Sequence, residues 1–272
     1  MKDLTVIIPV GQWDEQTKEY LDRALDSIFT QTVKPPKIHI TTNNGLFNNI
    51  EFLEYFNKTI NEFDKIGIEV VQTVGNYEFE YYPNNSVDAI VDTVNNVKTK
   101  YFTVLEPTDQ FEPTWFENVQ RYIETTDKEI SIYLPICKVF NDEGIFIRFL
   151  NEQWWATGFS KDLDLGYVDE EGLKIMYDMN LTGAVINKKD FEDVGSLKNN
   201  IKLYYWYEFL LRLIYNQKIA FVIPKSLYNH TYFKANNIEE DEARFYWDSA
   251  LNEYYFNSQR ELIYDNTNNV KV

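Results

Sequence analysis

Residues 4–10, LTVIIPV, constrain the fold more than any other stretch of the chain. An unbroken β-branched run marks a strand buried on both faces, and such a strand needs helices on each side of its sheet. The segments that follow meet that need. In QTKEYLDRALDSIFTQT the apolar positions Tyr20, Leu21, Ala24, Leu25, Ile28 and Phe29 recur at helical spacing. PPKIHITTNNG (35–45) reads as a strand, NIEFLEYFNKTINEFDKIG as a helix closed by Gly67, and IEVVQTV (68–74) as a strand. NSVDAIVDTVNNVKT (85–99) reads as a helix capped by Ser86, and YFTVLE as a fourth strand. Strand and helix alternate, which predicts a mostly parallel sheet flanked by helices. Ligands of such sheets gather at the carboxyl ends of the strands. Here those ends are Pro9 to Asp14, Thr42 to Gly45, Gly75 to Tyr82 and Glu106 to Asp109.

The second half is predicted to be mixed. EISIYLPICKVFNDEGIFIRFLN reads as strand, turn and strand, and MNLTGAVINKKDFEDVG as a short strand with a helical turn. YYWYEFLLRLIYNQK reads as an apolar helix, IAFVIPKSLYN as a strand, and IEEDEARFYWDSALNEYYFNSQRELIYD as a long amphipathic helix. We therefore divide the chain at residues 1–110, 111–235 and 236–272, the last a C-terminal helical extension with a face for a protein partner.

Charge and residue counts exclude several functions. Forty-three acids against 26 bases leave a formal charge of −17. That field repels phosphate backbones and anionic membrane surfaces, so no nucleic acid is expected as a partner. A single cysteine, Cys137, excludes an intrachain disulfide and a cysteine-based zinc site. Only two histidines, His39 and His230, are present. No run approaches the roughly 20 apolar residues of a membrane span. The start MKDLTVIIPV enters a strand directly, which reads as a cytoplasmic chain without a signal peptide. Abundant Asn and Tyr suit a low-GC genome such as that of a phage or a Firmicute.

The order of segments resembles the family 2 glycosyltransferases of the GT-A, Rossmann-like fold. The resemblance rests on LTVIIPV, LDRALDSIFTQT, IHITTNNG, YFTVLEPTDQFEP, NLTGAVINKKDFEDVGSL and YEFLLRLIYNQKIAFVIPKSLYNH, spread over residues 4 to 231. It implies a nucleotide-sugar-binding half (1–110) and an acceptor-side half (111–235). The implied reaction moves a sugar, with inversion, from a UDP-sugar to a glycan, lipid-linked or protein acceptor. Pro9, Val10, Asn43, Asn44, Glu106 and Asp109 would contact the donor. Mn²⁺ or Mg²⁺ would be held by Glu106, Asp109 and His230.

The chain departs from the family pattern at three places. Asn43 and Asn44 stand where aspartates contact the nucleotide. Thr108 stands where the metal-binding carboxylate falls. Tyr205 and Trp206 stand where an acid pair supplies the base, leaving Glu208 as the nearest candidate. Trp154, Trp155, Tyr205 and Trp206 are candidate acceptor contacts, and Asp169, Glu170, Glu171 and Asp178 are alternative acids. Plainer readings stay open: Asp109 caps the helix after FEP, Asn43 and Asn44 are turn residues, and Glu208 faces solvent. A GT-A domain without catalysis, acting as a structural or partner-binding module such as a virion component, is the competing expectation.

Overall fold

The computed structural model describes residues 1–79, 86–152, 166–169, 173, 179–201, 205–232, 263–264 and 270–271. Four parallel strands form the first half: β1 (Leu4–Val10), β2 (Lys37–Asn43), β3 (Glu69–Gly75) and β4 (Tyr101–Val104). Between them lie helices α1 (Glu15–Phe29), α2 (Asn44–Phe47), α3 (Ile50–Asp64) and α4 (Val87–Asn96). Asp14, Asn49 and Ser86 cap α1, α3 and α4 with their side chains.

The second half adds β5 (Gln110–Phe111), α5 (Trp115–Thr125) and the hairpin β6 (Ile132–Asn141) with β7 (Phe146–Leu150). It continues through β8 (Tyr167–Val168), β9 (Val185–Asn187), α6 (Lys188–Asp193), α7 (Tyr205–Tyr215) and β10 (Ala220–Tyr232). One sheet runs across both halves in the order β3-β2-β1-β4-β9-β6-β10-β5, with β7 against β6 and β8 against β10. This is the mostly parallel α/β sheet flanked by helices that the sequence predicts.

Alternation along β1 explains why its run is unbroken. Leu4, Val6, Ile8 and Val10 join a core with α1, α3 and α5. Ile7 points the other way, into a core with α4, α6 and α7. Each such side chain, fully buried, contributes about 1.5–3 kcal/mol relative to exposure.

Two expectations change. Asn44 and Gly45 do not end a strand in a simple turn; they begin the short helix α2, with Asn43 as its cap. In the C-terminal stretch expected to be helical, Ile263–Tyr264 and Val270–Lys271 instead pair as antiparallel strands β11 and β12. The rest of that predicted extension lies outside the described residues. No helix among the described residues is long and apolar enough to cross a membrane.

Candidate functional site

The sheet order 3-2-1-4 makes a topological switch point between β1 and β4, where open α/β sheets bind ligands. Pro9 fits there because the β1–β4 ladder stops at Ile7 and Val104, so the strand needs no further donor on that side. Pro9 and Val10 are buried and pair with Thr41 and Thr42 of β2. Gly11 follows, and it must be glycine: a Cβ there would lie 2.4 Å from the ring of Phe79.

From β4 the chain turns through Leu105 to Asp109 and then pairs with the end of β10. Phe111 lies opposite Tyr228 and Gln110 opposite Asn229. One more step in this antiparallel register sets Asp109 opposite His230. A bulge in β10 helps to aim this end. From Ile223 to Tyr228 it advances five positions while β6 advances two, from Pro135 to Cys137.

Three functional candidates therefore converge. One ligand atom each from Glu106, Asp109 and His230 lies within 4.8 Å of the others. Glu106 and Asp109 are buried, and His230 is partly exposed. Asp109 is not a helix cap: α5 begins at Trp115, with Thr114 at its N-cap position and no side-chain cap bond, so that reading is corrected. Instead the Asp109 carboxylate accepts from Tyr228 Oη (2.8 Å), Thr231 N (2.9 Å) and, weakly, Thr108 Oγ1 (3.4 Å), and its Oδ2 lies 2.8 Å from His230 Nδ1. Burial and the nearby Asp109 and Glu106 charges push the Tyr228 hydroxyl well above its usual pKa, so it stays a donor.

Tyr205 reaches the same place from the first turn of α7. Its hydroxyl is buried and has no hydrogen-bond partner among the described residues. Burial, then the charge of Glu106, raises its pKa well above the usual range. An orphaned buried donor that feels the Glu106 charge suits an oxygen-bearing ligand. An imidazole in the group suits a first-row cation such as Mn²⁺ better than Mg²⁺, which prefers oxygen alone.

The other candidates are placed as follows. Asn43 is committed locally: its Oδ1 accepts from Leu46 N (3.0 Å) and its Nδ2 donates to Gly11 O (3.0 Å). Asn44 is exposed and bonds Asn76. Trp206 is half-buried against Tyr205 and Phe209. Glu208 does not face solvent. It is fully buried, and its two oxygens bond Arg212 Nε and Nη2, each at 2.9 Å, while Lys198 Nζ lies 2.9 Å from Oε1. Asp169 follows β8, which pairs with Ala220 and Phe221 at the far end of β10 from His230. Trp154, Trp155, Glu170, Glu171 and Asp178 lie outside the described residues.

Several residues that support the site had been only part of a motif. In LDSIFTQT, Ser27 Oγ accepts from Phe111 N (3.1 Å). The Gln31 side chain donates to Glu112 O (2.8 Å) and accepts from Phe116 N (3.3 Å), and Thr32 N donates to Pro113 O (2.8 Å). These bonds hold the chain that leaves Asp109. Gly183 supports Tyr228 from behind. It has φ +72°, its carbonyl accepts from Trp115 Nε1 (3.0 Å), and a Cβ there would lie 2.3 Å from the Tyr228 ring. Gly183→Ala combines left-handed backbone strain with overpacking and is expected to cost about 3 kcal/mol in a denaturant titration.

No protein-family profile matches the sequence, and neither does any curated protein. The fold, however, is similar to that of S. aureus TarS 1–349. Against its complex with UDP-GlcNAc the TM-score is 0.61 at 13% identity, over 93% of this chain and 66% of that one. Against its complex with UDP the values are 0.59 and 13%, over 95% and 67%. This chain spans 44% of the longer S. aureus TarS chain. The likeness shows that this chain shares the fold of these neighbours.

Proposed function

We propose that the protein is a glycosyltransferase whose donor is a nucleotide-sugar, in the first place a UDP-sugar, and whose reaction inverts the anomeric centre. The observation that carries this reading is the convergence of Glu106, Asp109 and His230 at the β1/β4 switch point. The fold neighbour in complex with UDP-GlcNAc supports it. The net charge of −17 favours a neutral glycan, a lipid-linked sugar or a protein as acceptor over a polyanion.

The cluster around Glu106 would hold a divalent cation, Mn²⁺ in preference to Mg²⁺. Bound there, the cation would offset the charge that builds on the leaving diphosphate. The Tyr205 hydroxyl, kept protonated by its burial, donates to an anionic oxygen in the same pocket. Asn44, at the surface beside Asn76, offers an amide to the base or ribose. Glu208 is assigned to structure, because its carboxylate is spent on Arg212 and Lys198.

Calorimetric titration with UDP and GDP, with and without Mn²⁺, tests the reading. Expected is micromolar, Mn²⁺-dependent binding of UDP, about −8 kcal/mol, that is lost in Glu106→Ala. No binding of either nucleotide at millimolar concentration would sink the proposal. A partner-binding module without turnover is the second reading. It is favoured by the engagement of Glu208 and by a β6–β7 hairpin that exposes Ile145, Phe146, Ile147 and Phe149. Nucleotide binding without sugar release from any UDP-sugar would select it.

A further inference from the structure

Asp109 looks like a metal ligand by its place in the loop, but its bonding says otherwise. A carboxylate has about four lone-pair sites. At Asp109 all four directions are addressed, by Tyr228 and His230 on Oδ2 and by Thr231 and Thr108 on Oδ1. A cation bound directly would have to displace at least one of these donors, and Asp109 is fully buried, so no water could replace the lost bond. Two of the donors are fixed in sign, a backbone N–H and a phenol. A carboxylate only accepts, so the imidazole nitrogen that faces it is the one that bears hydrogen. That places His230 in the Nδ1–H tautomer and makes Nε2 its electron-pair donor.

We propose that Asp109 is a positioning residue: it orients His230 so that Nε2, together with Glu106, takes the cation, while Asp109 itself does not coordinate. The inference rests on the metal-dependent reading above. Carboxylates that hold the far nitrogen of a ligating histidine in this way fix both its tautomer and its ring orientation. The orphaned Tyr205 hydroxyl beside Glu106 is the second sign that the pocket is built for a ligand. Tyr228 does for Asp109 what Asp109 does for His230, and Gly183 makes room for that ring.

The experiment uses full-length protein with ¹⁵N-labelled histidine. Two histidines give an uncrowded spectrum, and His39→Gln assigns it. Without metal, His230 should show a protonated Nδ1 and an unprotonated Nε2, and Mn²⁺ should broaden the Nε2 signal first. In Asp109→Asn the amide oxygen stays with the Thr231 N–H, so the NH₂ faces His230. The tautomer should then switch to Nε2–H, and Mn²⁺ affinity should fall about 10- to 100-fold. Tyr228→Phe keeps the carboxylate and should keep the tautomer, which separates this effect from general damage.

Three outcomes would overturn the proposal. One is a proton on Nε2 in the unsubstituted protein. Another is loss of Mn²⁺ binding in Asp109→Asn with the tautomer unchanged. The third is no broadening of His230 at millimolar Mn²⁺. The spectrum needs no nucleotide, so its failure is distinct from a failure of UDP to bind.

Discussion

Replacing Glu208 by alanine is expected to destabilise the protein by about 3–5 kcal/mol, a fall in Tm on the order of 10 °C. The cause is what the substitution leaves behind. Arg212 is buried, and its guanidinium holds Glu208 on one side and the carbonyls of Val194 and Ser196 on the other. Those carbonyls belong to the turn after α6, where Gly195 and Ser196 both have positive φ. Without Glu208 a buried cation loses its counter-charge, and the clamp between α7 and that turn loosens. Lys198 is 40% exposed, so water screens its share and the estimate rests on Arg212. A double change, Glu208→Leu with Arg212→Met, should recover only part of the loss, because the two carbonyls stay unsatisfied. Thermal unfolding measures all three. A general base would behave in the opposite way: Tm unchanged and turnover down about 10²- to 10⁴-fold in Glu208→Gln.

That contrast shows what the sequence disclosed and what it hid. β1 to β4 with α1, α3 and α4 were legible because each apolar run has a clear period and a side-chain cap or turn at its end. Glu106 and Asp109 were legible because acids directly after a buried strand must lie at its carboxyl edge. The family resemblance set His230 with them, but its physical route, the antiparallel register of β5 and β10, was not legible, because β5 is two residues long, below what any pattern detects. Glu208 misled because α7 is buried almost all round, from Tyr205 to Leu213, so periodicity gives it no polar face. The available signal was Arg212, four residues on, the spacing of a helix ion pair. Asn43 reads as a turn residue in any sequence. That its amide also ties α2 to Gly11 depends on β1 and β2 lying side by side.

Thr108→Asp is expected to lower the protein's stability without metal and to enlarge the gain that Mn²⁺ returns. Thr108 is 3% exposed, and its hydroxyl lies 3.4 Å from Asp109 Oδ1. An aspartate there supplies the carboxylate that the family 2 glycosyltransferases, which the sequence resembles, carry at this place, but it also sets a third acid beside Glu106 and Asp109 in a buried loop. Without a cation the added charge has no partner and should cost about 2 kcal/mol or more. Mn²⁺ that binds only the folded state returns stability as RT ln(1 + [Mn²⁺]/Kd), about 2.7 kcal/mol at 100 times Kd. Thermal unfolding in EDTA should thus place Thr108→Asp below the unsubstituted protein, and saturating Mn²⁺ should raise it by the larger increment. A variant that is destabilised in EDTA and gains nothing from Mn²⁺ would show that the loop does not form part of a cation site. A third carboxylate can be tolerated here only if a cation shares the loop, so the size of the Mn²⁺ increment reports directly on whether this pocket is shaped for one.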